Sequence, residues 1–137
     1  MPTILSHTYY SNHGTRFDLD INDRDASGSA APFSCYGGQG AKVSLIGDSK
    51  NVFNRVYSTS CSFSIIVDGS IAIDDFIDAL INTTDEKRFT VKMQRNSIIH
   101  FVGFIQVNAL TLNDGYKPAL KIQAIDGIGL LPLNCTY

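Results

Sequence analysis

The chain has 137 residues, 44% hydrophobic and 18% charged, with a formal net charge of −2; that suits a single domain, residues 1–137, able to bury its own core. So nearly neutral a balance leaves no electrostatic footprint for nucleic acid or an anionic membrane. Three widely spaced cysteines, Cys35, Cys61 and Cys135, with no CxxC pair, argue against a disulfide framework and a zinc site and fit a reducing compartment; one long-range bridge is the alternative.

The first residues, Met1 to His7, lack a charged start and an apolar run, so no secretory segment is expected. No stretch approaches the roughly 18 apolar residues of a membrane helix, so membrane insertion is not expected. Arg16–Ile21 alternates, with Phe17, Leu19 and Ile21 on one face and Arg16, Asp18 and Asp20 on the other, which predicts a half-buried strand. Asn22-Asp23 supplies turn chemistry. Residues 22–40, rich in Gly and Ser, are expected to form a long loop or an arm reaching a neighbouring subunit, with a short strand at Phe33–Tyr36. Gly37-Gly38-Gln39-Gly40 has no Gly-Lys-Ser/Thr after it and does not make a phosphate loop.

Lys42–Ile46, Val52–Ser58 and Cys61–Val67 read as strands, the last with Cys61, Phe63 and Ile65 on one face. One short α-helix is predicted near 71–82. Ser70 caps it, Ile73, Phe76, Ile77 and Leu80 form an apolar stripe, and Asp74 and Asp75 suit the dipole of its early turns. So short a helix must dock on a sheet. Beyond it, Arg88–Gln94 alternates and Arg95-Asn96-Ser97 is a hairpin turn. Ile98–Ala109 is a long apolar run with Gly103 marking a bulge or bend. Asn113-Asp114-Gly115 is a turn, Ala119–Ile125 a further strand, and Asp126-Gly127 a turn leading to Ile128–Leu131. The fold class is mostly β, a β-barrel, split barrel or sandwich, with seven to nine strands.

Candidate chemistry is sparse. His7, His13 and His100 have no partner pattern, and His100 reads as a solvent-face or hydrogen-bonded residue of a strand. Asp18 and Asp20 read as a solvated strand face. Asp74, Asp75, Asp78, Asp85 and Glu86 lack the alternating ligands and glycine of a calcium loop. No Gly-x-Ser-x-Gly or His-Glu-x-x-His occurs. No catalytic, cofactor-binding or metal residue is therefore assigned. Tyr9, Tyr10, Tyr36, Tyr57, Tyr116 and Tyr137 are candidates for an interface.

The last third carries the most specific pattern. Phe101-Val-Gly-Phe-Ile105, a connector with Pro118, and Leu120-Lys-Ile-Gln-Ala-Ile-Asp-Gly-Ile-Gly-Leu-Leu131 resemble the end segments of a family of tail proteins from phages and prophages of Bacteroidetes-type bacteria. Asn51–Ser58 resembles the segment before that family's Ser-rich strand, and Asp85–Phe89 its approach to the next hairpin. The likeness spans nearly the whole chain and is weakest over 22–40. Two features depart from it: Val102 stands where the family has Trp or Tyr, and family members continue well beyond the segment that here ends at Tyr137, as expected of a short relative or of a first domain cut from a longer product.

The resemblance implies the N-terminal split-barrel domain of a phage tail-hub protein. It implies a virion structural part of the hub, baseplate or fibre base, not an enzyme and without cofactor, assembled in the host bacterial cytoplasm. Its partners would be copies of itself, in a trimer or hexamer ring, and other tail proteins. The alternative is a carbohydrate- or receptor-binding β module of a tail tip; a small hydrolase is the third reading.

Overall fold

The computed structural model describes residues 2–35, 41–46, 58–113 and 118–127. Within them the period-two segments fold as strands of one sheet: β1 Thr3–Tyr10, β2 Arg16–Asp23, β3 Ala31–Pro32, β4 Lys42–Ile46, β5 Ser58–Ile66, β6 Phe89–Arg95, β7 Ile98–Ile105, β8 Thr111–Asn113 and β9 Ala119–Ile125. The spatial order is β3-β1-β2-β6-β7-β9-β5-β4, with β8 beside β9. Every pairing is antiparallel except β1 with β3. The protein is a mostly β fold with one short helix, and its sheet is an open, sandwich-like ladder.

One face of the sheet is the core. Leu5, Leu19, Ile21, Val91, Met93, Phe101, Ile105, Ile122, Cys61, Phe63 and Ile65 are all buried. The registers explain the selection: Leu19 lies opposite Met93, which lies opposite Phe101, while Phe63 lies opposite Ile122. Alternation thus aligns one row of apolar side chains after another on the same side.

The helix α1, Ile71–Asn82, closes one end of this core. Its N-cap Ser70 has extended backbone, and its hydroxyl accepts the N–H of Ile73 at 3.4 Å. Ile73, Phe76 and Leu80 are buried, and Phe76 meets Phe89 edge-on at 5.5 Å. The helix forms where the apolar stripe predicts it and docks on the sheet as a helix of that length must. No helix among the described residues is long and apolar enough to cross a membrane.

Residues 22–40 differ from a plain loop. Asn22 and Asp23 belong to β2, and residues 24–30 make the connection. The short strand expected at Phe33–Tyr36 sits earlier, at Ala31–Pro32, alongside Leu5 and Ser6. Phe33 N–H donates to Ser6 O at 3.2 Å, Ile66 N–H donates to Ser34 O at 2.9 Å, and Cys35 bridges to Ile65. Phe33 and Cys35 are buried. Residues 31–35 stitch β1, in one half of the ladder, to β5 in the other.

Two strands escape a reading of the sequence. In β1, Leu5, His7 and Tyr9 share the inner parity, but Ile4 is an extra residue between Thr3 and Leu5 and polar His7 interrupts the apolar row. β8 is only three residues long. Gly103 is also explained differently. The bulge of β7 falls at His100, between the pairs Gln94–Ile99 and Met93–Phe101. Gly103 instead permits a close approach: a Cβ there would lie 2.5 Å from Ile125 O and 2.5 Å from Phe101 Cζ. The expected strand over 52–57, the turns at 47–51 and 114–115, and the segment Ile128–Leu131 lie outside the described residues.

Candidate functional site

Among the described residues, an exposed apolar feature grows out of the β6–β7 turn. Asn96 and Ser97 are the two loop residues, with φ of 49° and 67°, the left-handed pair of a type I′ turn, whose twist suits a hairpin. The turn is held against β2: Asn96 N–H donates to Arg16 O at 2.9 Å, and Arg16 N–H donates to Asn96 Oδ1 at 3.2 Å. The end of the hairpin is thus tied to the start of β2.

On this tip the apolar pattern fails to alternate. Ile98 is 73% exposed and Ile99 59%, with Val102 beyond them also exposed. The extra residue at His100 shifts the parity of β7, so Ile98 lies opposite Arg95 and Ile99 opposite Gln94. Ile98 and Ile99 consequently project to the two sides of the ribbon. Arg95, Asn96, Ile98 and His100 line a depression of about 310 Å³.

A row of aromatic residues leads from the core to this tip. Tyr9 pairs with Phe17, Phe17 with Arg95, and Arg95 with Ile98. The Tyr9 and Phe17 rings stack at 5.1 Å, and His7 lies 5.7 Å from Tyr9 and 5.4 Å from Phe33. The Tyr9 hydroxyl donates to Met93 Sδ at 3.9 Å. Burial pushes the Tyr9 phenol above its ordinary range, against a backbone hydrogen bond from Ala41 that lowers it. Tyr9 is half-buried, and Tyr10 is the exposed tyrosine among the described residues. Tyr36, Tyr57, Tyr116 and Tyr137 lie outside the described residues.

The other residues singled out by sequence do not converge. His7 is on β1, His13 in the β1–β2 turn and His100 in the β7 bulge. Asp18 and Asp20 face outward and accept hydrogen bonds from Thr8 Oγ1 at 2.7 Å and Ser6 Oγ at 2.9 Å across the β1–β2 pair. The outer face of α1 shows Asp74, Asp75 and Asp78 between two exposed isoleucines, Ile71 and Ile81. Among the described residues, no group of His, Cys, Asp and Glu is arranged to hold a metal ion. Cys35 and Cys61 are free and buried, and burial pushes their thiols up to about 11 and about 12. Cys135 lies outside the described residues.

Sequence reasoning missed the tip, although a signal was present. β6 alternates cleanly, with Thr90, Lys92 and Gln94 between its inner residues, whereas β7 begins Ile98-Ile99 and carries Val102 opposite Lys92. A hairpin strand that is apolar on both sides, paired to one that is not, exposes hydrophobic area the domain itself does not cover. No family model matches the chain, nor does any curated protein or solved structure.

Proposed function

We propose that the chain is a structural assembly subunit, and specifically a component of a bacteriophage tail in its hub, baseplate or fibre base. The observation that carries this reading is the exposed apolar tip of the β6–β7 hairpin, with Ile98 in the depression lined by Arg95, Asn96 and His100, and Ile99 and Val102 exposed on the other side of the ribbon. Aliphatic side chains beside an arginine, on a backbone fixed by ladder hydrogen bonds, have the composition of a contact surface. The phage-tail part of the proposal draws on the resemblance of Phe101–Ile105 and Leu120–Leu131 to tail-hub segments.

Light scattering after size exclusion tests the assembly reading, with a trimer or hexamer expected. Gold-labelled antibody against the chain, applied to phage particles released by cells that make it, tests the place; label on the tail is expected. A chain that stays monomeric at millimolar concentration and labels no particle overturns the proposal.

A second reading has its own observation. The depression sets the Asn96 amide, the His100 imidazole and the Arg95 guanidinium around one aliphatic side chain, and such a mixture can hold a sugar. Binding to a glycan array that is lost in Asn96→Ala is the outcome expected of it.

A further inference from the structure

The hairpin tip and the outer face of α1 complement each other, and they belong to opposite ends of the molecule. α1 meets the sheet at Phe89, the first residue of β6, through Phe76. The tip begins at Arg95, the last. At about 3.4 Å per residue the two ends of β6 lie roughly 20 Å apart, so neither surface is placed to cover the other within one chain.

Their chemistry is matched. On one side the tip presents Arg95 and His100 around Ile98, which is 73% exposed. The outer face of α1 presents Asp74, Asp75 and Asp78, all exposed, between Ile71, 79% exposed, and Ile81, 67% exposed. At 100° per residue these five positions fall on one side of the helix, opposite Ile73, Phe76 and Leu80. Among the described residues, none of these three aspartates and neither Arg95 nor His100 is in an ion pair. One surface is cationic and apolar, and the other is anionic and apolar.

We infer that the β6–β7 tip docks on the outer face of α1 in a second copy of this chain, head to tail. Two copies of either surface could not meet face to face without opposing like charges. A heterologous contact uses both, leaves a free tip and a free helix face at the ends, and therefore propagates into a ring or a filament. This rests on the assembly reading above and adds which surfaces carry it.

Complementary variants test it. Arg95→Ser with Ile98→Ser removes the charge and the apolar contact of the tip, and Asp75→Arg with Asp78→Arg reverses the helix face. All four positions are exposed, and circular dichroism melts establish that each variant is folded. Each variant alone is expected to run at the 15.0 kDa mass of one chain. An equimolar mixture is expected to form a dimer and nothing larger, because the helix-face variant supplies an intact tip to the intact helix face of the other. Oligomers that survive both variants would overturn this contact while leaving an assembly role standing. A wild-type chain that is monomeric at every concentration and labels no phage particle would overturn both.

Discussion

Arg88 holds Asp23 with two parallel hydrogen bonds, Nε to Oδ1 at 2.9 Å and Nη2 to Oδ2 at 3.0 Å, across 65 residues of sequence. Asp23 is the last residue of β2 and Arg88 immediately precedes β6, so the pair clamps the ends of two neighbouring strands. Asp23 also accepts the Asp25 N–H at 3.0 Å, and the Arg88 guanidinium lies 4.9 Å above the Phe89 ring. The Asp23 side chain is 5% exposed and that of Arg88 24%. Losing one partner of a fully buried pair costs about 3–5 kcal/mol; the partial exposure of Arg88 reduces this to about 2–3 kcal/mol. Arg88→Ala is expected to lower the unfolding free energy by that amount, read as a lower urea midpoint with an unchanged m-value.

The same clamp makes the protein sensitive to acid. Burial alone pushes the Asp23 carboxyl up, but the Arg88 hydrogen bonds, the Asp25 N–H and the charges of Arg88 and Arg24 outweigh it, and the folded-state value lies below the ordinary one. A carboxyl whose folded value is depressed contributes stability that is complete above its unfolded value, near pH 4, and is lost as pH falls through the folded value. Asp85 has the same sign, through the Lys87 N–H and then Arg24, but it is exposed and contributes little. Asp23→Asn is expected to be less stable at neutral pH and to lose less further stability below pH ~4. Parallel acid slopes for the two proteins would contradict the clamp.

Gly103 makes a prediction of opposite origin, too much atom and not too little. Any Cβ would stand 2.5 Å from Ile125 O, 2.5 Å from Phe101 Cζ and 2.8 Å from Ile125 C. A ring end can yield, but the backbone carbonyl of β9 cannot yield without breaking its ladder to β5. Gly103→Ala is expected to destabilise by about 3 kcal/mol, the upper part of the overpacking range. Hydrogen exchange is expected to quicken at Phe104 and Ile125, which pair there.

The β6–β7 turn offers a gain instead. Ser97 sits at φ 67°, where a residue with a Cβ pays about 1–2 kcal/mol that glycine does not, offset in part by the unfolded-chain entropy glycine adds. Ser97→Gly gives the Asn-Gly pair that type I′ turns favour. It is expected to raise stability by about 0.5–1 kcal/mol, read as a higher urea midpoint.

These sites show what the sequence can disclose. Alternation in Phe17–Ile21 and Phe89–Met93, and the stripe Ile73–Phe76–Leu80, place β2, β6 and α1, because burial on one side leaves a period in one dimension. The Asp23–Arg88 clamp leaves none. Nor does the contact of Asp126, which accepts Thr59 N–H at 2.8 Å and Thr59 Oγ1 at 2.6 Å. The Asp126-Gly127 pair reads in sequence as a local turn explained by its own neighbours, yet the carboxylate secures the end of β9 to β5. The candidate tip was half-legible. Its turn residues are evident, but the bulge at His100, which sets Ile98 on the side of Phe101 and Ile99 on the side of Val102, depends on a register that only the paired strands define.

The two buried thiols report on how the sheet opens. Burial raises Cys35 to about 11 and Cys61 to about 12. At pH 8 the thiolate, which is the reacting form, is then only about one part in a thousand or less. Iodoacetamide is expected to leave both unmodified on a time scale that alkylates them fully in guanidinium, as peptide mass mapping would read. On longer exposure the order is informative. Cys61 lies within β5, between the ladders of β4 and β9, whereas Cys35 is held by a single bridge to Ile65 at the stitch between the two halves. Local opening costs less free energy where fewer hydrogen bonds break. Cys35 is therefore expected to label first, at a rate only weakly dependent on urea, and Cys61 only with global unfolding. Simultaneous labelling would mean that the stitch and the ladder open as one unit.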